Sequence, residues 1–228
     1  MGILKDKKFI KSIIEKIDIT YLKPDFSFVI MNDVMNTFLK YNFASLCLPI
    51  RYINDIKVKY DISGKKISTV IGFPFGYEKW EIKKIELEEG LFLKIDEFDV
   101  VMNIYDFINQ DYDSVIGELR KMRKLTYGKI MKVIIETAYL DEKSMIRASE
   151  IVLESGADFI KTSTGFAPRG ASVEDVLLLK EKFGGKILIK ASGGIRTLDD
   201  AISFINAGAD RLGMSNVSDI VRAYERAE

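Results

Sequence analysis

Short apolar runs rich in β-branched residues alternate along this chain with longer stretches whose apolar positions recur every three or four residues. The first pattern suits buried strands and the second suits helices packed on one face. Phe9, Ile10, Ile13, Ile14 and Ile17 give an amphipathic first helix within the N-terminal segment, before a strand over 17–21. Phe26, Ile30, Val34 and Phe38 then fall at helical spacing. Strand-like runs follow at 43–48, 66–73, 97–103 and 130–137, separated by helical patterns at 51–58, 77–93 and 112–125.

The second half repeats the scheme with clearer punctuation. Asp141 caps a helix that stops at Gly156, a natural left-handed terminus. A strand holding Lys161 comes next, then a helix opened by Ser172 with Asp175 in a capping-box arrangement and ended by Gly184. A strand holding Lys190 leads to a helix opened by Thr197 with Asp200 and ended by Gly208, a strand over 211–214, and a last helix from about 215. Gly156-Ala157-Asp158 recurs as Gly208-Ala209-Asp210, each just before a strand, as in a repeated helix–strand unit.

Eight strands alternating with helices predict an α/β protein with a parallel sheet. An open doubly wound sheet would carry a glycine-rich loop after strand one, where Tyr21-Leu22-Lys23-Pro24 stands instead. The expected fold is a closed (β/α)8 TIM barrel with an extra N-terminal helix, one domain over residues 1–228.

Composition narrows function more than fold. The 34 basic and 34 acidic residues cancel, leaving no field to draw in nucleic acid or an anionic membrane. No apolar run is long enough to span a bilayer, and Asp6 stands where a myristoylation signal needs Ser or Thr. The lone Cys47 fits a reducing, cytoplasmic location. With no histidine in the chain, Ser-His-Asp triads, Cys-His pairs and His-ligated metal sites are excluded. Proton transfer falls to Asp, Glu, Lys, Tyr or water.

Against that background two lysines stand out, each ending an apolar run: Lys161 before Thr162-Ser163-Thr164-Gly165, and Lys190 before Ala191-Ser192-Gly193-Gly194. Asp99 and Glu136 lie near the ends of their own strands, at the barrel face where active sites form. A lysine is nucleophilic only as the free amine, which a poorly solvated pocket and a nearby cation both favour. Lys161 would attack a carbonyl to form a Schiff base, with Lys190 as the neighbouring cation and Asp99 as a proton relay. Gly193 and Gly194 after strand seven, with Ser215 and Asn216 after strand eight, offer backbone amides where barrels bind phosphate. Arg196 could add charge there. Cys47, in an apolar run, reads as a packed thiol.

The chain resembles the deoxyribose-phosphate aldolases nearly end to end. The resemblance is carried by Thr69-Val70-Ile71-Gly72-Phe73-Pro74, Asp96-Glu97-Phe98-Asp99-Val100-Val101 and Val133-Ile134-Ile135-Glu136-Thr137. It is carried further by Phe159-Ile160-Lys161-Thr162-Ser163-Thr164-Gly165 and Lys190-Ala191-Ser192-Gly193-Gly194-Ile195-Arg196-Thr197. It implies a cofactor-free class I aldolase that reversibly cleaves 2-deoxy-D-ribose 5-phosphate to glyceraldehyde 3-phosphate and acetaldehyde, in nucleoside catabolism.

By the same resemblance the Schiff-base lysine falls on Lys161, the activating lysine on Lys190 and the relay aspartate on Asp99. Gly193, Gly194 and Ser215 fall on phosphate-binding positions, while Thr20, Cys47, Thr164, Gly165 and Asn216 complete the expected substrate surroundings. No metal is implied, and a homodimer or larger homo-oligomer is. Ile19 stands where members often have histidine, Asn216 where a second serine is frequent, Phe166 where some have lysine, and Lys94 where glycine is usual. The longer tail with a terminal tyrosine found in some members is not part of this sequence. The competing readings are a phosphosugar isomerase or synthase using Asp99 and Glu136, and a non-catalytic phosphate-binding relative.

Overall fold

A computed structural model describes residues 6–25 and 27–227, with Phe28 described through its backbone only. The short apolar runs form strands β1 (Ile17–Thr20), β2 (Ser45–Leu48), β3 (Ile67–Ile71) and β4 (Glu97–Val101). They continue as β5 (Ile130–Ile134), β6 (Phe159–Lys161), β7 (Leu188–Ser192) and β8 (Arg211–Met214). Each pairs in parallel with its sequence neighbour, and β8 pairs back to β1, closing the barrel. Parallel neighbours need long crossovers, which the helical stretches supply. They are α1 (Lys7–Ile14), α2 (Phe28–Lys40), α3 (Ile50–Lys59), α4 (Trp80–Phe92), α5 (Ile104–Ile108), α6 (Tyr112–Leu125), α7 (Glu142–Glu154), α8 (Val173–Phe183), α9 (Leu198–Ala207) and α10 (Ser218–Arg226).

The (β/α)8 barrel with an N-terminal helix is therefore the observed fold, with differences at element ends. Ile17 belongs to β1 rather than to α1, and Phe26 and residues 1–5 lie outside the described residues. The short helix α5, between β4 and α6, has no counterpart in the sequence pattern. The final helix begins at Ser218, because Asn216 Oδ1 accepts the Ser218 amide and Ser215–Val217 stay in the loop.

Helix starts follow local chemistry. Asp6, Ser27, Asn103, Asp111, Asp141, Ser172 and Thr197 each accept, through the side chain, the amide three residues on. One such cap stabilises by about 1 kcal/mol. Thr197 and Asp200 form a reciprocal capping box, whereas the Asp175 carboxylate beside Ser172 is taken by Arg169 at 2.5 Å. Lys94 sits at φ 54°, a conformation costing a residue with a Cβ roughly 1–2 kcal/mol, which explains why glycine suits this position.

Strand alternation divides the buried residues into two populations. Val100, Ile160, Ile189 and Leu212 are fully buried apolar residues that belong to the continuous hydrophobic core; burying each such side chain stabilises by roughly 1.5–3 kcal/mol. The alternate positions are polar and equally buried: Asp18, Glu97, Asp99, Lys132, Lys161 and Lys190. The register sets Asp99 beside Lys132 and Lys161 beside Lys190, with Lys190 beside Arg211. Among the described residues no helix is long and apolar enough to cross a membrane.

The loop from Gly72 to Lys79 is pinned by α4. Glu86 Oε2 accepts the Gly72 amide at 2.7 Å, and the fully buried Lys83 donates to Gly76 O at 2.6 Å and to Glu118 Oε2 on α6 at 2.8 Å. Only glycine fits at position 76: its φ is 74°, and a Cβ there would meet Met102 O at 2.2 Å.

Candidate active site

The barrel lumen holds a connected set of charges supplied by six strands. Asp99 Oδ2 accepts from Lys161 Nζ at 2.8 Å and from Lys190 Nζ at 2.7 Å, so one oxygen atom bridges the two lysines. Asp99 Oδ1 accepts from Lys132 at 2.8 Å. Lys190 also donates to Asp18 Oδ2 at 2.6 Å, and Lys132 lies 2.6 Å from Glu97 and 3.6 Å from Asp18. Arg211 closes the set with Asp18 at 2.6 Å and Glu97 at 3.4 Å.

Three carboxylates thus face four cationic groups, and the set becomes electroneutral when one lysine is uncharged. Lys161 is the member best placed to give up its proton, because Asp99 is its only carboxylate contact among the described residues. Burial pushes its amine below the ordinary lysine value; Asp99 opposes that, and Lys190 adds to it. Removal from water therefore ranks above the neighbouring cation, a reversal of the emphasis suggested by the two adjacent lysines in sequence. Lys190 has the opposite shift: burial would lower it, but Asp18 and Asp99 outweigh burial and keep it protonated. Lys132 is likewise raised against burial by Asp99, Asp18 and Glu97. Burial would raise Asp99, yet Lys132, Lys161 and Lys190 hold it well below the usual carboxylate range.

Above this set, at the C-terminal ends of the strands, opens a cavity of about 390 Å³. Lys161, Thr164, Gly165, Phe166, Thr20, Ser192, Gly193, Gly194, Ser215 and Asn216 line it. Gly193 and Gly194 both have positive φ, 86° and 85°. The backbones there are closely stacked, with a Cβ at Gly193 falling 3.0 Å from the Gly170 Cα. Among the described residues the amides of Gly194, Ile195, Ser215 and Asn216 donate to no protein acceptor, and these residues line the cavity together with Lys23 and Arg196. By contrast the first amides of α9 are taken: Asp200 accepts from Arg196 and Thr197, and Asp219 from Leu198. An anion in this cavity would meet loop amides, not the end of α9.

Cys47 is fully buried, close enough to the lysines for their charges to act on it, and is not part of the cavity wall. Burial raises its thiol pKa, which suits a packed group rather than a nucleophile. Glu136 lies beyond β5, in a left-handed conformation with φ 51°. Its Oε2 accepts the Thr164 amide at 3.0 Å and, at short range, the Thr164 hydroxyl. Burial raises its pKa against the lowering effect of Thr164, Lys161 and Arg169. The residue fixes the β6 loop and does not enter the lysine set. Among the described residues no group of Cys, Asp and Glu is arranged to hold a metal ion.

This geometry is accompanied by extensive similarity to known proteins. Residues 14–220 match the model of the DeoC/LacD family aldolases. The chain belongs to the DeoC/LacD aldolase family. A deoxyribose-phosphate aldolase of Dictyoglomus turgidum is 44% identical over 91% of this chain and 94% of that protein. One from Clostridioides difficile is 41% identical over 93% and 96%. Among solved structures, the aldolase QR15 superposes with a TM-score of 0.86 at 39% identity, covering 94% of this chain and 96% of its own. The tetrameric deoxyribose phosphate aldolase of Aeropyrum pernix gives 0.85 at 30% identity, covering 95% and 92%.

Within this DeoC/LacD aldolase the structure brings Lys161, Lys190 and Asp99 into direct contact and gathers Thr20, Thr164, Gly165, Gly193, Gly194, Ser215 and Asn216 around one cavity. Sequence reasoning passed over Asp18, Glu97, Lys132, Arg211 and Lys23. Parity counted from Asp99 selects Glu97 on the same strand, whereas Asp18, Lys132 and Arg211 lie on strands that hold neither Asp99 nor the other two lysines. Lys23 lies in the turn after β1, and no local pattern in the sequence marks it as a cavity residue.

Proposed function

We propose that the protein is a cofactor-free class I aldolase that reversibly cleaves 2-deoxy-D-ribose 5-phosphate to D-glyceraldehyde 3-phosphate and acetaldehyde. The observation that carries this reading is Lys161: a buried lysine with one carboxylate contact among the described residues, lining a cavity that unpaired loop amides also line. Relatives up to 44% identical bear the same activity in their names.

The free amine of Lys161 attacks C1 of the open-chain sugar, and loss of water leaves a protonated imine. Asp99, bonded to both Lys161 and Lys190, moves protons between the intermediate and its surroundings, while protonated Lys190 keeps Asp99 ionised. A base removes the C3 hydroxyl proton, the C2–C3 bond breaks, and its electron pair passes to the imine as an enamine. Glyceraldehyde 3-phosphate departs; C2 takes up a proton, and hydrolysis of the imine releases acetaldehyde and returns the amine. The phosphate would rest against Gly193, Gly194, Ser215 and Asn216, with Lys23 and Arg196 supplying charge in the same cavity. Residues 1–228 would act as one cytoplasmic barrel domain, assembled as a homo-oligomer.

Borohydride reduction in the presence of deoxyribose 5-phosphate, followed by peptide mapping, tests this. The expected result is a stable adduct on the peptide holding Lys161, with acetaldehyde released when borohydride is omitted. No adduct, or one on another lysine, overturns the assignment.

A further inference from the structure

The loop over 162–172 joins β6 to α8 and is long beside the roughly 2–6 residues usual between such elements. Two consecutive residues beyond β5 hold its first arm. Thr137 N donates to Thr162 O at 2.9 Å, and Glu136 accepts from the Thr164 amide and hydroxyl. The second arm is held by Arg169. Its Nη2 donates to Thr137 O at 2.9 Å and its Nη1 to Gly170 O at 3.1 Å. The same two nitrogens grip the Asp175 carboxylate at the start of α8, at 2.5 and 3.3 Å. A planar guanidinium makes such a fork, which the point charge of a lysine does not reproduce. Both Nη atoms are thus committed to protein acceptors, and Arg169 is not among the residues lining the substrate cavity.

What the second arm touches gives this fork a use. Gly170 lies against Gly193, and a Cβ at position 170 would fall 2.2 Å from Gly193 O. The next residue, Ala171, donates its amide to Ser192 O at 3.0 Å and to Gly193 O at 3.2 Å. A trans peptide is planar, with its carbonyl and its N–H pointing in opposite directions. Holding Gly193 O therefore also fixes the direction of the Gly194 N–H. That N–H donates to no protein acceptor among the described residues, and Gly194 lines the cavity. We propose that Arg169 is a positioning residue for phosphate recognition. By clamping Gly170 and Ala171 to the turn after β5 and to α8, it holds the Gly194 amide ready for the phosphate of the substrate. The inference rests on the proposed function for the identity of the sugar, and on the loop geometry for the anion. A plain ion pair with a partly exposed arginine would contribute little and would leave substrate binding alone.

Steady-state cleavage of deoxyribose 5-phosphate and of unphosphorylated 2-deoxyribose tests the clamp. Arg169→Met should raise KM for the phosphorylated sugar about tenfold or more, with kcat changed less than about threefold. For the unphosphorylated sugar kcat/KM should stay within about twofold of the intact protein. Arg169→Lys should fall between, since an ammonium reaches one acceptor but does not fork. Gly170→Ala presses on Gly193 O directly and should raise the same KM. Titration with inorganic phosphate, followed by phosphorus NMR, is independent of the aldol chemistry, and its Kd should rise roughly fivefold or more in Arg169→Met. If the intact protein forms no borohydride adduct while Arg169→Met still weakens phosphate binding, the proposed function falls and the clamp stands. Should Arg169→Met fail to fold, Arg169→Lys and Gly170→Ala decide. An intact protein that binds no phosphate, variants with unaltered KM and phosphate affinity, or equal losses with both sugars would each overturn the proposal.

Discussion

Lys161 and Lys132 occupy adjacent strands, point into the same lumen and are equally removed from water, yet their amines are driven in opposite directions. Lys132 has three carboxylates within 3.6 Å, and Lys161 has one. Burial cannot distinguish them because both suffer it. The number of anionic neighbours does: several acids outweigh desolvation at Lys132, and a single shared oxygen does not at Lys161. Lys190, held by two acids, falls on the Lys132 side. The barrel therefore sets one of three similar lysines apart, as a candidate nucleophile, by withholding counter-charge from it.

That contrast can be broken most severely by Lys161→Met, which should cut aldol cleavage by roughly 10⁴-fold or more while the other two lysines remain. The check is coupled detection of acetaldehyde, together with loss of the borohydride adduct. Asp99→Asn removes the negative charge shared by all three lysines. Turnover should fall on the order of 10²–10⁴-fold, and urea unfolding should show a loss of about 3–5 kcal/mol, since buried cations lose their partner.

Lys190→Met sharpens the comparison, because it leaves Asp99 with one fewer cation to serve. Lys161 then holds its proton more firmly, so kcat/KM near neutrality should fall on the order of 10²-fold and the acid limb of the pH profile should move to higher pH. In the intact protein, Asp99 has a folded pKa well below its ordinary value of 3.8. A depressed carboxyl contributes stability above its unfolded pKa and loses it as pH falls through the folded one. Urea midpoints should hold above pH 4 or so and decline below it, and less so in Asp99→Asn. The smallest effect is expected for Glu97→Gln: Lys132 keeps Asp99, so kcat should change by no more than about threefold, with roughly 1–3 kcal/mol lost in urea unfolding.

The barrel was legible because period-2 and period-3.6 patterns alternate cleanly and turn residues punctuate them, as at Gly156 and Gly208. The five-residue α5 is too short to show a period, and the helix read from Tyr77 begins only at Trp80. Lys161 and Lys190 could be read because each ends an apolar run of the sequence, and Asp99 because it interrupts one. Asp18 and Arg211 meet only because β8 pairs with β1, a contact between opposite ends of the chain that local pattern does not encode. Lys132 was hidden inside its strand, and parity drew attention instead to Glu136, which the backbone turns aside to hold Thr164.

The buried Lys83 and the half-buried Glu86 give α4 a reach beyond its own surface. Through Gly76 and Gly72 they grip both ends of the loop bearing Phe73, whose ring meets Phe166 edge-on at a centroid distance of 5.3 Å. Phe166 is part of the cavity wall. A helix on the outside of the molecule is thereby geared to the chamber where the sugar would lie, and a push on one would be registered by the other.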